Sequence, residues 1–142
     1  LNATVLEYVE GMAELMAASD LVICKPGGLT VTECLCAKAP MILLGRAYGQ
    51  ENINVRMLTS LGAALHVTTA RELVGAMGHV DANPAIVEAM LTQGSFLRRP
   101  NAAIDIARNA LRLAAAEPST DARMRKKHFL HFYWGHTPAH IR

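Results

Sequence analysis

The stretch Cys24-Lys25-Pro26-Gly27-Gly28-Leu29-Thr30-Val31-Thr32-Glu33 constrains the fold of this chain more than any other. It follows Leu21-Val22-Ile23, an apolar run that reads as a buried strand, and it leads into Val31 to Lys38, which reads as a helix. Strand, Gly-Gly turn and helix together bring backbone N–H groups and a helix N-terminus up to an anion. Glycine has no Cβ, so a bulky phosphate can sit against the main chain. Thr30 falls near the first helical turn, where its hydroxyl can cap the helix or meet a phosphate. Glu33 lies about one turn further on, and a carboxylate there can accept hydrogen bonds from two vicinal ribose hydroxyls. The same residues are also compatible with a plain strand-to-helix turn that needs a left-handed glycine.

A second segment repeats the arrangement. Met41 to Leu44 reads as an apolar strand, Gly45 to Glu51 as a polar loop, and Asn52 to Ser60 as a helix. Gln50, Glu51 and Asn54 cluster at that helix start, and amides and carboxylates suit the hydroxyls of a sugar. Two consecutive strand–loop–helix units place both loops at the carboxyl edge of a parallel sheet, where ligands bind in such folds. A phosphate-type loop beside a hydroxyl-reading loop points to a nucleotide-sugar.

At these positions the pattern Lys-Pro-Gly-Gly-Leu-Thr-Val-x-Glu, followed by Gly-Gln-Glu-x-x-Asn, resembles the donor-binding half of the diacylglycerol glycosyltransferases. These are the monogalactosyldiacylglycerol synthases and the processive diacylglycerol glucosyltransferases. A more distant likeness is to the peptidoglycan N-acetylglucosaminyltransferase that makes lipid II. The likeness runs from about Glu7 to Ala64, with weaker support to about Ala115. It implies an α/β fold: a Rossmann-like parallel sheet with flanking helices, forming part of the C-terminal domain of a two-domain GT-B enzyme. It also implies that Tyr8, Val9 and Met12 surround the uracil, that Gly27, Gly28 and Thr30 hold the diphosphate, and that Glu33 holds the ribose. Gln50 and Glu51 would face the donor sugar, with Asn54 supporting that loop. Gly45-Arg46-Ala47-Tyr48 departs from the proline-rich approach usual in the family, which leaves the choice of hexose open.

Composition narrows the remaining classes. The chain has 142 residues, enough for a domain with a real core, and it is rich in alanine and poor in aromatics. Helices around a small apolar sheet fit this better than an all-β fold. No apolar run reaches the length of a membrane span, and no signal-peptide pattern opens the chain. Leu1 stands where an initiator methionine would, so a fragment or a processed chain is expected. Cys24, Cys34 and Cys36 lack metal-ligand spacing and read as reduced thiols. The net charge of +2 is unevenly spread. Lys and Arg number 5 against 9 Asp and Glu in residues 1–97, and 9 against 3 in residues 98–142. The basic end can attract an anionic surface or form a solvated tail.

The rest of the chain reads as short elements. Thr4 to Val9 is expected to be a strand, Met12 to Ala18 a short helix, and Gly62 to Val67 another strand. Thr68 or Thr69 caps a helix over Ala70 to Gly78, Pro84 opens one that stops at Gly94, and Asn101 to Ala116 forms a last one. Residues 1–116 are taken as the UDP-sugar-binding domain and 117–142 as a basic, aromatic tail or crossover helix. His128, His131, His136 and His140 come without a carboxylate or cysteine pattern, so no metal is expected. The glycine-containing units that open a complete domain of this fold are not in the sequence, nor is an acceptor domain. The chain therefore reads as part of a longer protein or one subunit of a split enzyme.

The reading is the donor-binding portion of a UDP-dependent hexosyltransferase acting on a diacylglycerol-type lipid. Its partners would be a UDP-sugar and, through a further domain, the lipid acceptor. It would work in the cytoplasm with peripheral contact at the inner face of the plasma membrane, without nucleic acid and without a cofactor. Lys25 can assist the diphosphate electrostatically or simply face solvent. No residue reads as a general base, so no catalytic residue is assigned and the chain alone is expected to bind rather than turn over. The alternatives are a UDP-sugar epimerase of the same architecture and a non-catalytic donor-binding subunit.

Overall fold

The computed structural model describes residues 3–116. Its elements are, in order, α1 (Met12–Ala17), β1 (Val22–Cys24), α2 (Gly28–Ala37), β2 (Met41–Leu44), α3 (Gln50–Ser60), β3 (Leu65–Val67), α4 (Ala70–Ala82), α5 (Pro84–Leu97) and α6 (Ala102–Ala115). Residues 1–100 form one compact unit and residues 101–142 belong to a second. The expected tail, residues 117–142, lies outside the described residues.

The first unit is built on a three-stranded parallel sheet in the order β1-β2-β3. Val22 pairs with Met41, and Ile42 with Leu65. Parallel neighbours need a crossover, and α2 and α3 supply the two. The central strand is apolar throughout, as burial on both faces requires: Met41, Ile42 and Leu43 are all buried. Val31, Cys34 and Leu35 of α2 and Val55 and Leu58 of α3 close over it at helical spacing. Each large side chain buried this way contributes about 1.5–3 kcal/mol.

Several elements differ from the sequence reading. Thr4 to Val9 is not a strand. A strand needs a ladder partner, and this segment has none among the described residues; Val5 and Tyr8 are 93% and 82% exposed. Helix α2 begins at Gly28 rather than Val31, because the first helical bond runs from the Val31 N–H to the Gly27 carbonyl. Helix α5 does not stop at Gly94 but continues to Leu97. Gly94 is buried, and a Cβ there would lie 3.2 Å from Leu35 Cδ2, so this glycine admits a neighbouring helix rather than ending its own.

The start of α4 follows the reading. Thr69 Oγ1 accepts from the Glu72 N–H at 3.2 Å, and the Glu72 carboxylate accepts from the Thr68 N–H at 2.7 Å. That reciprocal pattern is a capping box shifted by one residue. Helix α4 then runs on to Ala82, past the expected end at Gly78. In the second unit, α6 spaces Ile104, Leu111 and their neighbours along one stripe, and none of its residues is buried.

Candidate functional site

All three strands point their carboxyl ends to one edge, and each then turns into a helix. The three helix starts differ in a way that bears on function. The N-terminus of α4 is filled by the chain's own Thr69 and Glu72. Those of α2 and α3 carry no side-chain cap. In α2 the N–H groups of Gly28, Leu29 and Thr30 precede the first helical bond, so they are the donors a helix start leaves over. No acidic residue sits in that first turn, so the positive end of the helix dipole is not neutralised.

The two glycines sharpen this point. Gly27 has φ −69° and ψ 141°, an extended conformation open to any residue, and Gly28 is helical. Among the described glycines only Gly45, Gly49 and Gly62 have positive φ. The left-handed turn that the sequence left open as an alternative is therefore not present here. Packing does not demand glycine either. A Cβ on Gly27 would meet nothing within 4 Å, and one on Gly28 would only reach Asn54 Nδ2 at 4.0 Å. Neither backbone strain nor internal crowding accounts for these glycines, and each leaves free space in front of uncapped N–H donors.

Thr30 is half-buried and does not cap α2, so its hydroxyl is not used for that purpose. Glu33 is exposed and follows Thr30 by three residues, which places the two as neighbours on the helix surface. This face adjoins the buried Val31–Cys34–Leu35 stripe. Lys25 is exposed at the start of the loop.

The second loop is held from both ends. The Gly45 N–H donates to the Val67 carbonyl at 2.8 Å, and its own carbonyl lies 2.8 Å from His66 Nε2. A carbonyl can only accept, so this nitrogen carries the proton. The loop then turns through Gly49, whose φ of 53° and ψ of −120° favour a residue without Cβ. Gln50 and Glu51 follow as the first two residues of α3; Gln50 is exposed and Glu51 half-buried. A carboxylate in the first turn suits the helix dipole. It disfavours a phosphate at that point and accepts hydrogen bonds from hydroxyls. The two helix starts therefore differ in sign: α2 offers donors alone, α3 donors with an acceptor.

One side chain joins the two loops. Asn54 Nδ2 donates to the Pro26 carbonyl at 2.9 Å, across 28 residues of sequence. Pro26 is itself buried, so the bond ties α3 to the root of the Gly-Gly loop. Asn54 was expected to support its own loop; it reaches the other one. His66 fixes the start of the second loop. Only the β2–β3 register, which pairs Leu43 with His66, brings it there. Tyr8 is exposed, Val9 half-buried, and Met12 opens α1, which packs against α2. A cavity of about 120 Å³ lined by Leu35, Met41, Ala63, Met90 and Arg98 lies at the opposite, amino edge of the sheet. The candidate site is thus an open face at the carboxyl edge.

A donor-only helix start and one that carries an acceptor carboxylate lie side by side at the carboxyl edge of a parallel α/β sheet. The model of the glycosyltransferase family 28 C-terminal domain matches residues 1–90, and the chain belongs to that family. A processive diacylglycerol beta-glucosyltransferase from Staphylococcus carnosus is 41% identical over 73 residues, 51% of this chain and 19% of that protein. The UDP-N-acetylglucosamine--N-acetylmuramyl-(pentapeptide) pyrophosphoryl-undecaprenol N-acetylglucosamine transferase of Azotobacter vinelandii is 31% identical over 109 residues, 72% of this chain and 31% of that protein. The crystal structure of Acinetobacter baumannii MurG superposes with a TM-score of 0.62 at 25% identity, covering 72% of this chain and 31% of that one. The fold is accordingly part of the C-terminal domain of a GT-B glycosyltransferase. The chain spans less than a third of the length of these relatives.

Proposed function

We propose that this chain is the UDP-sugar-binding part of a glycosyltransferase that moves a hexose onto a diacylglycerol-type lipid. The observation that carries the reading is the Gly27-Gly28 pair, which neither conformation nor packing requires and which opens space over uncapped donors at the start of α2. In this reading the diphosphate lies there, with the N–H groups, the helix dipole, Thr30 and Lys25 offsetting its charge. That is the group which must accept charge as the glycosidic bond to the donor breaks. Glu33 holds the ribose hydroxyls, and Tyr8, Val9 and Met12 read the uracil. Gln50 and Glu51 take the sugar. Asn54 acts as a positioning residue, since its amide is already committed to Pro26.

No cofactor or metal is invoked for this chemistry. The acceptor and any general base would come from a domain outside this chain. Among the described residues no helix is long and apolar enough to cross a membrane. A lipid acceptor would then be met by peripheral contact, at the cytoplasmic face of the plasma membrane, and no nucleic-acid partner is proposed. The test is calorimetry with UDP, ADP and a UDP-hexose on the wild-type chain and on Gln50→Ala and Glu51→Ala. UDP should bind better than ADP, and the two variants should lose UDP-hexose affinity while keeping UDP affinity. Equal binding of UDP and ADP would remove the uracil assignment. Equal losses for UDP and UDP-hexose would remove the sugar assignment.

A further inference from the structure

The cavity at the amino edge of the sheet combines two features that the carboxyl-edge site does not use. Its walls are apolar: Leu35 from α2, Met41 at the start of β2, Ala63 just before β3 and Met90 from α5. Its charged lining is cationic. Lys38 and Arg98 line it, and no acidic residue does. Lys38 follows the last turn of α2 and Arg98 that of α5. The leftover carbonyls of those helix ends offset part of this charge, but none accepts from Arg98 Nε. That N–H is buried without a hydrogen-bond partner, the only side-chain nitrogen or oxygen in that condition among the described residues. Nor does Arg98 form a salt bridge among them. Buried donors are nearly always paired, so an orphaned one marks an acceptor that comes from outside the chain.

We propose that this cavity is a binding site for a small monocarboxylate with a branched apolar body. The head lies on Arg98, with Lys38 adding charge, and the body lies against Leu35, Met41, Ala63 and Met90. A carboxylate only accepts, and its two oxygens match the flat edge of a guanidinium group. A water could accept from Nε, but it must also place its own two protons. Among the side chains of the lining only Ser95 offers it an acceptor, and that hydroxyl already donates to the Thr92 carbonyl at 2.7 Å.

The volume sets the size of the body. An apolar cavity of about 150 Å³ takes up benzene, so the 120 Å³ here holds about five carbon atoms. Neither half of the ligand suffices alone. An uncharged body leaves Nε unpaired, and a bare anion leaves the apolar walls unfilled. The site lies at the opposite edge of the sheet from Gly27 and Gly28 and does not depend on what those residues bind.

The experiment titrates the 142-residue chain with isocaproate, with its neutral amide and with acetate, and follows the side-chain methyl signals of Met41 and Met90 by NMR. Isocaproate should shift both methyls in a saturable way. It should bind about 10- to 150-fold more tightly than the amide, the range for a hydrogen bond to a charged group, and acetate should bind more weakly still. Arg98→Met keeps an apolar stem of similar length and removes the donor, so acid and amide should then bind alike. Ala63→Leu fills the cavity and should abolish binding of both; if that variant does not fold, the wild type and Arg98→Met decide the matter. Equal affinity for acid and amide, acetate as tight as isocaproate, Met41 and Met90 methyls that isocaproate leaves unmoved, or an Arg98→Met chain that still prefers the acid overturns the proposal.

Discussion

Replacing Gly28 by alanine separates a ligand-binding glycine from a structural one. Gly28 is the first residue of α2 and already has helical geometry. Alanine restricts the unfolded chain and favours the helix, so a gain of up to about 0.5–1 kcal/mol is expected on stability. For a unit of this size that corresponds to a thermal midpoint higher by roughly 2–8 °C. The added Cβ meets only Asn54 Nδ2, at 4.0 Å, which is an ordinary contact. Its remaining surroundings are the open space assigned to the diphosphate. Crowding a well-fitted group by one methyl costs about 1–3 kcal/mol, which weakens UDP binding by about 5- to 150-fold. Thermal melts and calorimetry on the same preparation measure both quantities. The expected signature is a chain as stable as the wild type, or more so, that binds UDP worse. Unchanged affinity would place the ligand elsewhere. A loss of stability above about 1 kcal/mol would make the glycine a requirement of the fold.

Glu33→Ala removes an exposed carboxylate that takes part in no salt bridge among the described residues. UDP affinity should fall by about 1.5–3 kcal/mol with the melting midpoint unchanged, the scale of a hydrogen bond to a charged group; equal affinity in calorimetry would remove Glu33 from the site. Asn54→Ala loses the bond to the Pro26 carbonyl and should cost about 1–2 kcal/mol in urea unfolding together with UDP affinity. A variant that loses affinity at full stability would show that Asn54 touches the ligand instead. Glu72 has its carboxyl held below the ordinary carboxylate range, chiefly by the Thr68 N–H. Its folded pKa lies below its unfolded one, so its contribution is present at neutral pH and lost as pH falls through the folded value. Urea unfolding of wild type and Glu72→Gln should differ near neutrality and converge in acid; a gap that is the same at both would refute the assignment.

The two strand–loop–helix units were legible because local chemistry and period agree in them. Met41 to Leu44 is a short apolar run between Pro40 and Gly45, and it is the central strand to the residue. The Thr69 cap and Pro84 at a helix start act within one turn, so neighbouring residues suffice to read them. Gly94 misled for the opposite reason. As a local signal it ends a helix, but its role is the approach of Leu35 from a distant element, which chain-local reasoning does not see. Thr4 to Val9 failed as a strand because β-propensity expresses the presence of a partner, not a property of the segment.

By itself, the sequence determined the order of the elements from Met12 onward, the parallel sheet, and the placing of two polar loops at its carboxyl edge. These follow from side-chain periodicity and from the geometry of right-handed crossovers, which are properties of short stretches. Only the tertiary structure decided how those loops are held and what they leave open. The Asn54–Pro26 bond spans 28 residues and the His66–Gly45 bond 21. Nothing in the residues between them announces either contact, because strand register and helix packing set which distant groups meet. The same holds for the glycines. Gly27 and Gly28 could have been conformational, packing or binding residues on sequence grounds. Their backbone angles and the empty space beyond them separate those roles, because a missing Cβ has meaning only relative to what would otherwise surround it.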